Sequence, residues 1–308
     1  MENQRNNPLL CDIETGICEL PAVSSGTKEN VIEGGNKPIK VIYYTDPICS
    51  SCWGIEPQLR KLKLQYGSYM EIDYRMGGLL PDWSYNSGGI GKPSDVAHHW
   101  DEASAYYDMP IDGDVWLEDP LSSSYPPSIA FKAAQMQDKE KAITFMREMR
   151  EMLFMQKKNI TKWEIISAAA ENAGLDVQQL QSDYNGKAKE VFEEDLELAK
   201  RLGVRGFPTL FFADSLGNVE KVYGSKPLSV YEGAIAKLQP TAKKYEYEAD
   251  WQSLFSKYPT LTAREFAELS EIPRSEADDY LQKLYEAGHL DKLASKNGTL
   301  WQQKGAKR

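Results

Sequence analysis

The sequence predicts an α/β fold in which one sheet is interrupted by a long helical block, with a smaller unit at the C-terminus. Three observations lead there. A β-branched and aromatic run, IKVIYY at 39–44, passes directly into an amphipathic helix; two further strand-like segments return only after Gly203, with helical patterning over 94–200; and the composition changes near Thr241.

Residues 1–36 read as an irregular, flexible arm, Asn-rich at the front and then VSSGTKENVIEGGNK, with little to bury outside the patch from Leu9 to Leu20. The run at 39–44 suits a buried strand, and the TDP after it cannot extend that strand. WGIEPQLRKLKLQY (53–66) puts Ile55, Leu59, Leu62 and Tyr66 on one helix face and ends at Gly67. A second strand is expected over 70–76, closed by the glycines and proline of 77–81, so that 37–93 forms the first half of the sheet domain. Within 94–200, Ser94, Ser128, Thr161 and Asp176 are expected helix starts, with Gly174 and Gly203 as stops. The Met and Phe residues recurring in AFKAAQMQDKEKAITFMREMREMLFMQ read as core packing between helices. TLFFAD (209–214), a turn at SLGN, VEKVYG (219–224) and a helix over 230–238 make 201–240 the second half of the sheet domain. In 245–308, three helical segments and a hairpin at Asn297-Gly298 predict a winged helix-turn-helix-like unit.

The 308 residues carry 36 Lys+Arg against 46 Asp+Glu, a net charge of −10. That balance disfavours nucleic acid and anionic lipid, because both require a basic surface. The helix expected over 275–290 sets Lys283 against Glu276, Asp278, Asp279 and Glu286, the wrong sign for phosphate. The C-terminal unit is therefore read as a protein-contact or dimerisation module, or as a cap on the sheet domain. No run approaches the roughly 20 apolar residues of a spanning helix, and MENQRNNPLLCDIETG holds no signal-peptide core, so a cytoplasmic protein without membrane association is expected.

The four cysteines, Cys11, Cys18, Cys49 and Cys52, are too few for a disulfide-stapled scaffold and fall into two close pairs. Cys49-Ser50-Ser51-Cys52 stands between the buried strand and the first turn of the helix. Unpaired amides and the positive dipole end there favour a thiolate, so Cys49 is expected to have a lowered pKa and to act as nucleophile. Cys52, three residues on, is placed to resolve a mixed disulfide. Asp46, before Pro47, is read mainly as a turn former, with orientation of a proton-relay water as the alternative. Cys11 and Cys18 enclose DIETGI, and a local disulfide, a relay to Cys49–Cys52 or half of a metal site compete there. Further metal ligands would have to come from His98 and His99, and adjacent helical histidines point apart, so no metal is expected and a second redox pair is the favoured reading. Pro208, in GVRGFPT (203–209), opens the third strand; the segment resembles the thioredoxin-family signature in which a cis-proline faces the CxxC pair, and a cis bond would turn the Phe207 backbone towards the cysteines, where it could pair with an extended substrate.

DPICSSCW (46–53), SSYPPSIAFKAAQ (123–135) and LAKRLGVRGFPTLFF (198–212), in that order and spacing, resemble the DsbA-like thioredoxin superfamily, in particular its cytoplasmic FrnE-like branch of dithiol-disulfide isomerases. The resemblance covers about residues 38 to 240. It implies a thioredoxin fold with an inserted helical domain, Cys49 as nucleophile, Cys52 as resolving cysteine and Pro208 as the cis-proline facing them. It also makes Phe207, Trp53, Tyr125 and Pro126 candidates for the substrate cleft. The Ser-Ser dipeptide departs from family members that carry a His or a Pro between the cysteines, and no reduction potential follows from it.

The leading function is thus a cytoplasmic thiol-disulfide oxidoreductase or isomerase acting on a disulfide-containing protein or a small thiol. No nucleotide-binding glycine pattern follows a strand, so no cofactor is expected and electrons must come from an external thiol system. The alternative is a redox-sensing adaptor: the family that presents the regulator Spx to the ClpXP protease is similar, with a DsbA-like domain, an early CxxC and a C-terminal extension. There the C-terminal unit would meet a protein partner.

Overall fold

The computed structural model describes residues 11–12, 16–19, 37–84 and 91–305. The chain begins with β1 (Cys11–Asp12) and β2 (Ile17–Glu19), then β3 (Ile39–Thr45), α1 (Ser50–Gly54), α2 (Glu56–Tyr66) and β4 (Met70–Met76). A helical block follows: α3 (Pro93–Tyr107), α4 (Val115–Glu118), α5 (Tyr125–Gln137), α6 (Lys139–Gln156), α7 (Trp163–Asn172), α8 (Val177–Asn185) and α9 (Lys187–Arg201). The sheet resumes with β5 (Gly206–Phe207), β6 (Thr209–Asp214), β7 (Val219–Tyr223) and α10 (Leu228–Leu238).

The main sheet has the order β4-β3-β6-β7. β3 runs parallel to β4, a pairing that needs the α1–α2 crossover, and antiparallel to β6. β3 therefore has neighbours on both sides and is buried along nearly all its length, which is why IKVIYY shows a continuous apolar run and no alternation. The helical block enters between β4 and β5 without breaking the sheet. Asp176 caps α8 by accepting the Gln178 and Gln179 amides, and Gly174 and Gly203 take positive φ just beyond α7 and α9, as expected. α3 and α5 begin earlier than Ser94 and Ser128, at Pro93 and Tyr125, where a proline in the first turn has no amide to leave unpaired.

The structure corrects the sequence reading in two places. The single helix expected over 53–66 is two helices that meet at Ile55 (φ −93°, ψ 2°). Pro57 is tolerated in a first turn but would clash with the Trp53 carbonyl in a continuous helix. The arm expected to be irregular contributes β1 and β2, which pair with each other and with β5; apart from Gly16 between them, the rest of the arm lies outside the described residues.

The C-terminal unit comprises α11 (Trp251–Lys257), β8 (Thr260–Thr262), α12 (Ala263–Ser270), α13 (Arg274–Glu286), β9 (Leu290–Ser295) and β10 (Gly298–Gln303), with sheet order β8-β10-β9. The β9–β10 hairpin forms where it was expected, but Gly298 pairs with Ser295, so the turn falls on Lys296 and Asn297, one residue earlier than the Asn297-Gly298 dipeptide. Leu254, Phe255, Leu261, Phe266, Leu281 and Trp301 form a separate core, which Leu64 of α2 joins. Charged groups complete this junction. Arg147 of α6 donates two hydrogen bonds to the Glu265 carboxylate at 2.8 and 3.0 Å, and Arg60 of α2 lies 3.3 Å from it. Glu265 also closes the capping box of α12 by accepting the Thr262 amide. Among the described residues no helix is long and apolar enough to cross a membrane.

Candidate functional site

The site starts where β3 ends. Asp46 stops the strand: its Oδ1 accepts the Ile48 amide at 3.1 Å in an Asx turn, and its Oδ2 accepts the Leu79 amide at 2.7 Å and the Ser124 hydroxyl at 2.9 Å. The turn reading of Asp46 therefore holds, and the same carboxylate ties the loop after β4 and the start of α5 to the CxxC segment. Burial lifts the Asp46 carboxyl to about 6 in spite of those three bonds.

Cys49 is the N-cap of α1, and the Cys52 amide donates to its Sγ at 3.2 Å. Both thiols are completely buried. Burial pushes the Cys49 thiol well up, its hydrogen-bonded neighbour Cys52 adds to that, and the Cys52 amide and Arg150 oppose it. Burial works against ionisation of Cys52 too, yet its hydrogen bond with Cys49, the Arg150 charge, Thr45 and the Asp46 backbone bring its pKa below the ordinary thiol value. The helix-end argument expected the lowered pKa at Cys49. In this closed geometry full desolvation outweighs one amide at Cys49, while Cys52 collects the compensating partners.

Arg150 is the residue of the candidate site that sequence reasoning missed. It projects from α6 with almost no exposed surface. Its Nη1 donates to Glu56 at 2.8 Å, and its Nη2 to the Thr45 hydroxyl at 2.8 Å and the Asp46 carbonyl at 3.1 Å. One guanidinium thus fixes the end of β3, opposes the rise at Cys49 and contributes to the lowered pKa of Cys52. Its signal was legible: within MREMREMLFM an arginine falls among Met146, Met149, Leu153 and Phe154, all buried on the same helix. Ser51, between the cysteines, shares a 2.8 Å hydrogen bond with the Tyr107 hydroxyl of α3, and Gly54 packs so closely on the Tyr107 ring that a Cβ would lie 2.4 Å from it.

The Phe207–Pro208 bond is cis. Tyr44 pairs with Thr209, so the end of β3 that delivers Cys49 lies beside the start of β6 that carries Pro208. The Phe207 ring is buried against Gly77, where a Cβ would stand 1.8 Å from it. The Phe207 backbone is paired, but with Cys18 of this same chain, through the β2–β5 ladder. Tyr125 and Pro126 are half-buried at the start of α5, beside the Ser124 that holds Asp46, with the Tyr125 ring edge-on to Phe192 at 4.9 Å. Trp53, expected at the cleft, is instead core: it has no exposed surface, its Nε1 donates to the Pro110 carbonyl at 3.0 Å, Phe154 stacks on it, and the Arg147 guanidinium lies 4.3 Å from a ring centroid.

A family model described as Thioredoxin matches residues 43–233, the span from the middle of β3 into α10. The chain belongs to the DsbA-like thioredoxin superfamily. It is 34% identical over 306 residues to the ClpXP adapter protein SpxH of Halalkalibacterium halodurans, covering 97% of each chain. It is 29% identical over 270 residues to the ClpXP adapter protein SpxH of Bacillus subtilis, covering 86% of this chain and 89% of that one. Among solved structures it resembles a putative protein disulfide isomerase from Nitrosomonas europaea (TM-score 0.56, 18% identity, 67% of this chain and 97% of that one). It also resembles the cytosolic disulfide reductase DsbM from Pseudomonas aeruginosa (TM-score 0.50, 18% identity, 65% and 95%). At these identities the structural likeness establishes the shared fold. The sequence likeness to the Halalkalibacterium halodurans SpxH runs along 97% of the chain, beyond the span that the family model matches.

Proposed function

We propose that the chain is a cytoplasmic thiol-disulfide oxidoreductase or isomerase in which Cys49 attacks a partner disulfide and Cys52 resolves the mixed disulfide. The observation that supports this most directly is the Cys52 amide aimed at the Cys49 sulfur at 3.2 Å, at the sheet end neighbouring cis-Pro208. In the reaction, Cys49 Sγ bonds to one sulfur of the partner and the other leaves as a thiol. Cys52 Sγ then bonds to Cys49 and releases the first partner sulfur, leaving Cys49–Cys52 oxidised and the partner reduced by two electrons. An external thiol restores the dithiol.

The trapping experiment uses Cys52→Ser. This variant should accumulate mixed disulfides through Cys49, identified by mass spectrometry of the attached species, while Cys49→Ser should neither trap partners nor reduce a model disulfide. Wild-type turnover by Cys49→Ser refutes the assignment.

A second reading is favoured by the SpxH relatives, which match along 97% of the chain. The chain would then be an adaptor that presents a partner protein to the ClpXP protease, with the C-terminal unit, read as winged-helix-like, contributing to partner contact and the thiols serving as sensors. Pull-down with Cys49→Ser/Cys52→Ser separates the two: the adaptor retains its partner at unchanged strength, the oxidoreductase loses it.

A further inference from the structure

Thiol-disulfide exchange needs the attacked sulfur delivered to the attacking thiol, and Cys49 stands at the sheet end that neighbours cis-Pro208. Here that edge of the molecule already holds a strand. β2 lies antiparallel to β5 with Cys18 opposite Phe207 and Glu19 opposite Gly206, and Phe207 immediately precedes cis-Pro208. β1 folds back on β2 with Cys11 opposite Cys18. Residues facing each other across an antiparallel ladder stand about 4.5–5.5 Å apart at Cα, inside the range that a disulfide spans.

The seat of this hairpin is specific. Gly16, in its turn, is buried with φ +66°, and its carbonyl accepts the Ser225 amide at 2.8 Å. A Cβ on residue 16 would lie 2.7 Å from the Ser225 Cβ, so the turn is fitted to the chain just beyond β7. The only cysteine-bearing strand paired with β5 among the described residues therefore belongs to a hairpin whose two cysteines are opposite each other in backbone register, and it pairs with the residue before Pro208.

We propose that Cys11 and Cys18 form a second, in-chain disulfide couple that exchanges electrons directly with Cys49 and Cys52, entering through Cys18. The proposal rests on the dithiol reading of Cys49 and Cys52 and adds their partner. Starting from a Cys11–Cys18 disulfide and reduced Cys49 and Cys52, Cys49 Sγ bonds to Cys18 Sγ while the Cys11–Cys18 bond breaks. Cys11 leaves as a thiolate and takes up the proton that Cys49 gives up. Cys52 Sγ then bonds to Cys49 Sγ, the Cys18–Cys49 bond breaks, and Cys18 takes up the proton from Cys52. The hairpin gains two electrons and two protons, the CxxC pair loses them, and no outside oxidant enters the step. Run backwards, the same exchange re-reduces the CxxC pair at the expense of the hairpin. Tethering the couple to the site replaces a collision with a held geometry.

The test is made on full-length chains that retain Cys49 and one hairpin cysteine. Cys11→Ser/Cys52→Ser and Cys18→Ser/Cys52→Ser are oxidised with diamide, alkylated, digested without reduction and read by mass spectrometry, with circular dichroism confirming the fold. The first should form a Cys18–Cys49 link within one chain, and the second should form Cys11–Cys49 at least about tenfold more slowly, as the loss of a held geometry requires. Gly16→Val in the first background, which touches no cysteine, should slow the link in the same sense. No intramolecular Cys18–Cys49 link, or equal rates in the two chains, overturns the proposal. Reaction of Cys11→Ser/Cys18→Ser with glutathione disulfide reports on Cys49 and Cys52 alone. An active pair there, with no Cys18–Cys49 link, removes the relay and leaves the dithiol reading standing. An inert pair there, with the link formed, removes the dithiol reading instead.

Discussion

At the C-terminal junction Glu265 has no exposed side-chain surface and is met by Arg147 through two bonds and by Arg60 through a third contact, with a hydrophobic seam from Leu64 beside them. At the other end of the chain, among the described residues, the β1–β2 hairpin meets β5 across two residue pairs, and Gly16 accepts one bond from Ser225. Removing one partner of a buried ion pair destabilises by about 3–5 kcal/mol, whereas a backbone hydrogen bond contributes a net of about 0.5–1.5 kcal/mol. The first attachment is thus a fixture of the fold. Among the described contacts the second is the lighter, so local opening is expected there before the rest of the fold gives way.

Breaking the firm side should give the largest effect. Glu265→Gln removes the carboxylate that Arg147 and Arg60 share, leaving Arg147 only Glu151 and Arg60 only the more distant Glu56, and should destabilise by about 3–5 kcal/mol in urea unfolding. Arg147 and Arg60 hold the Glu265 carboxyl below its usual 4.5 against burial, so its contribution is present above that value and is lost as pH falls through the lower folded pKa. The gap between wild type and variant should therefore close on acidification. A variant as stable as wild type at neutral pH would remove the contrast between the two attachments.

Arg150→Met probes the ground between them. Loss of its bonds to Glu56, Thr45 and Asp46 should destabilise by about 2–4 kcal/mol. Because Arg150 opposes the rise at Cys49 and contributes to the lowered pKa of Cys52, the pH profile of thiol alkylation should also move upward, a shift that a purely structural arginine would not produce.

Asp46 gives a pH signature of opposite sign to Glu265. Its folded pKa of about 6 lies above the usual 3.8, so the folded state keeps the proton longer. Its contribution is fully present below about 4 and falls by roughly 2–3 kcal/mol as pH rises to about 6. Asp46→Asn should flatten that part of the stability curve, measured as thermal midpoint against pH.

The smallest effect on global stability belongs to the hairpin. Gly16→Ala should cost less than about 1 kcal/mol overall, because only a light attachment is strained. It should nevertheless speed hydrogen exchange at the amides of the β2–β5 ladder while β3 and β6 stay protected. Unchanged exchange there would mean that the hairpin is as fixed as the C-terminal junction.

Local chemistry made much of this readable in advance. IKVIYY could only be an interior strand, Cys49 fell at a strand-to-helix turn, and Asn297-Gly298 marked its hairpin to within one residue. Trp53 was misplaced for a physical reason. Adjacency to Cys52 in sequence says nothing about which way the ring faces, and the helical insertion supplied Pro110 and Phe154 to bury it. Arg150 stood visibly out of place on an apolar helix face, but its targets at Thr45 and Asp46 lie more than a hundred residues away.

By itself the sequence determined the elements, the CxxC pair at a helix start and the proline at the head of β6, since propensity, capping and turn geometry act over a few residues. Tertiary structure alone decided the rest: that both thiols are buried under one arginine, that Glu265 locks the C-terminal unit to α2 and α6, and that Cys18 lies across from Phe207. Strand pairing and buried charge networks join residues far apart along the chain, and no local pattern encodes which partner each will meet.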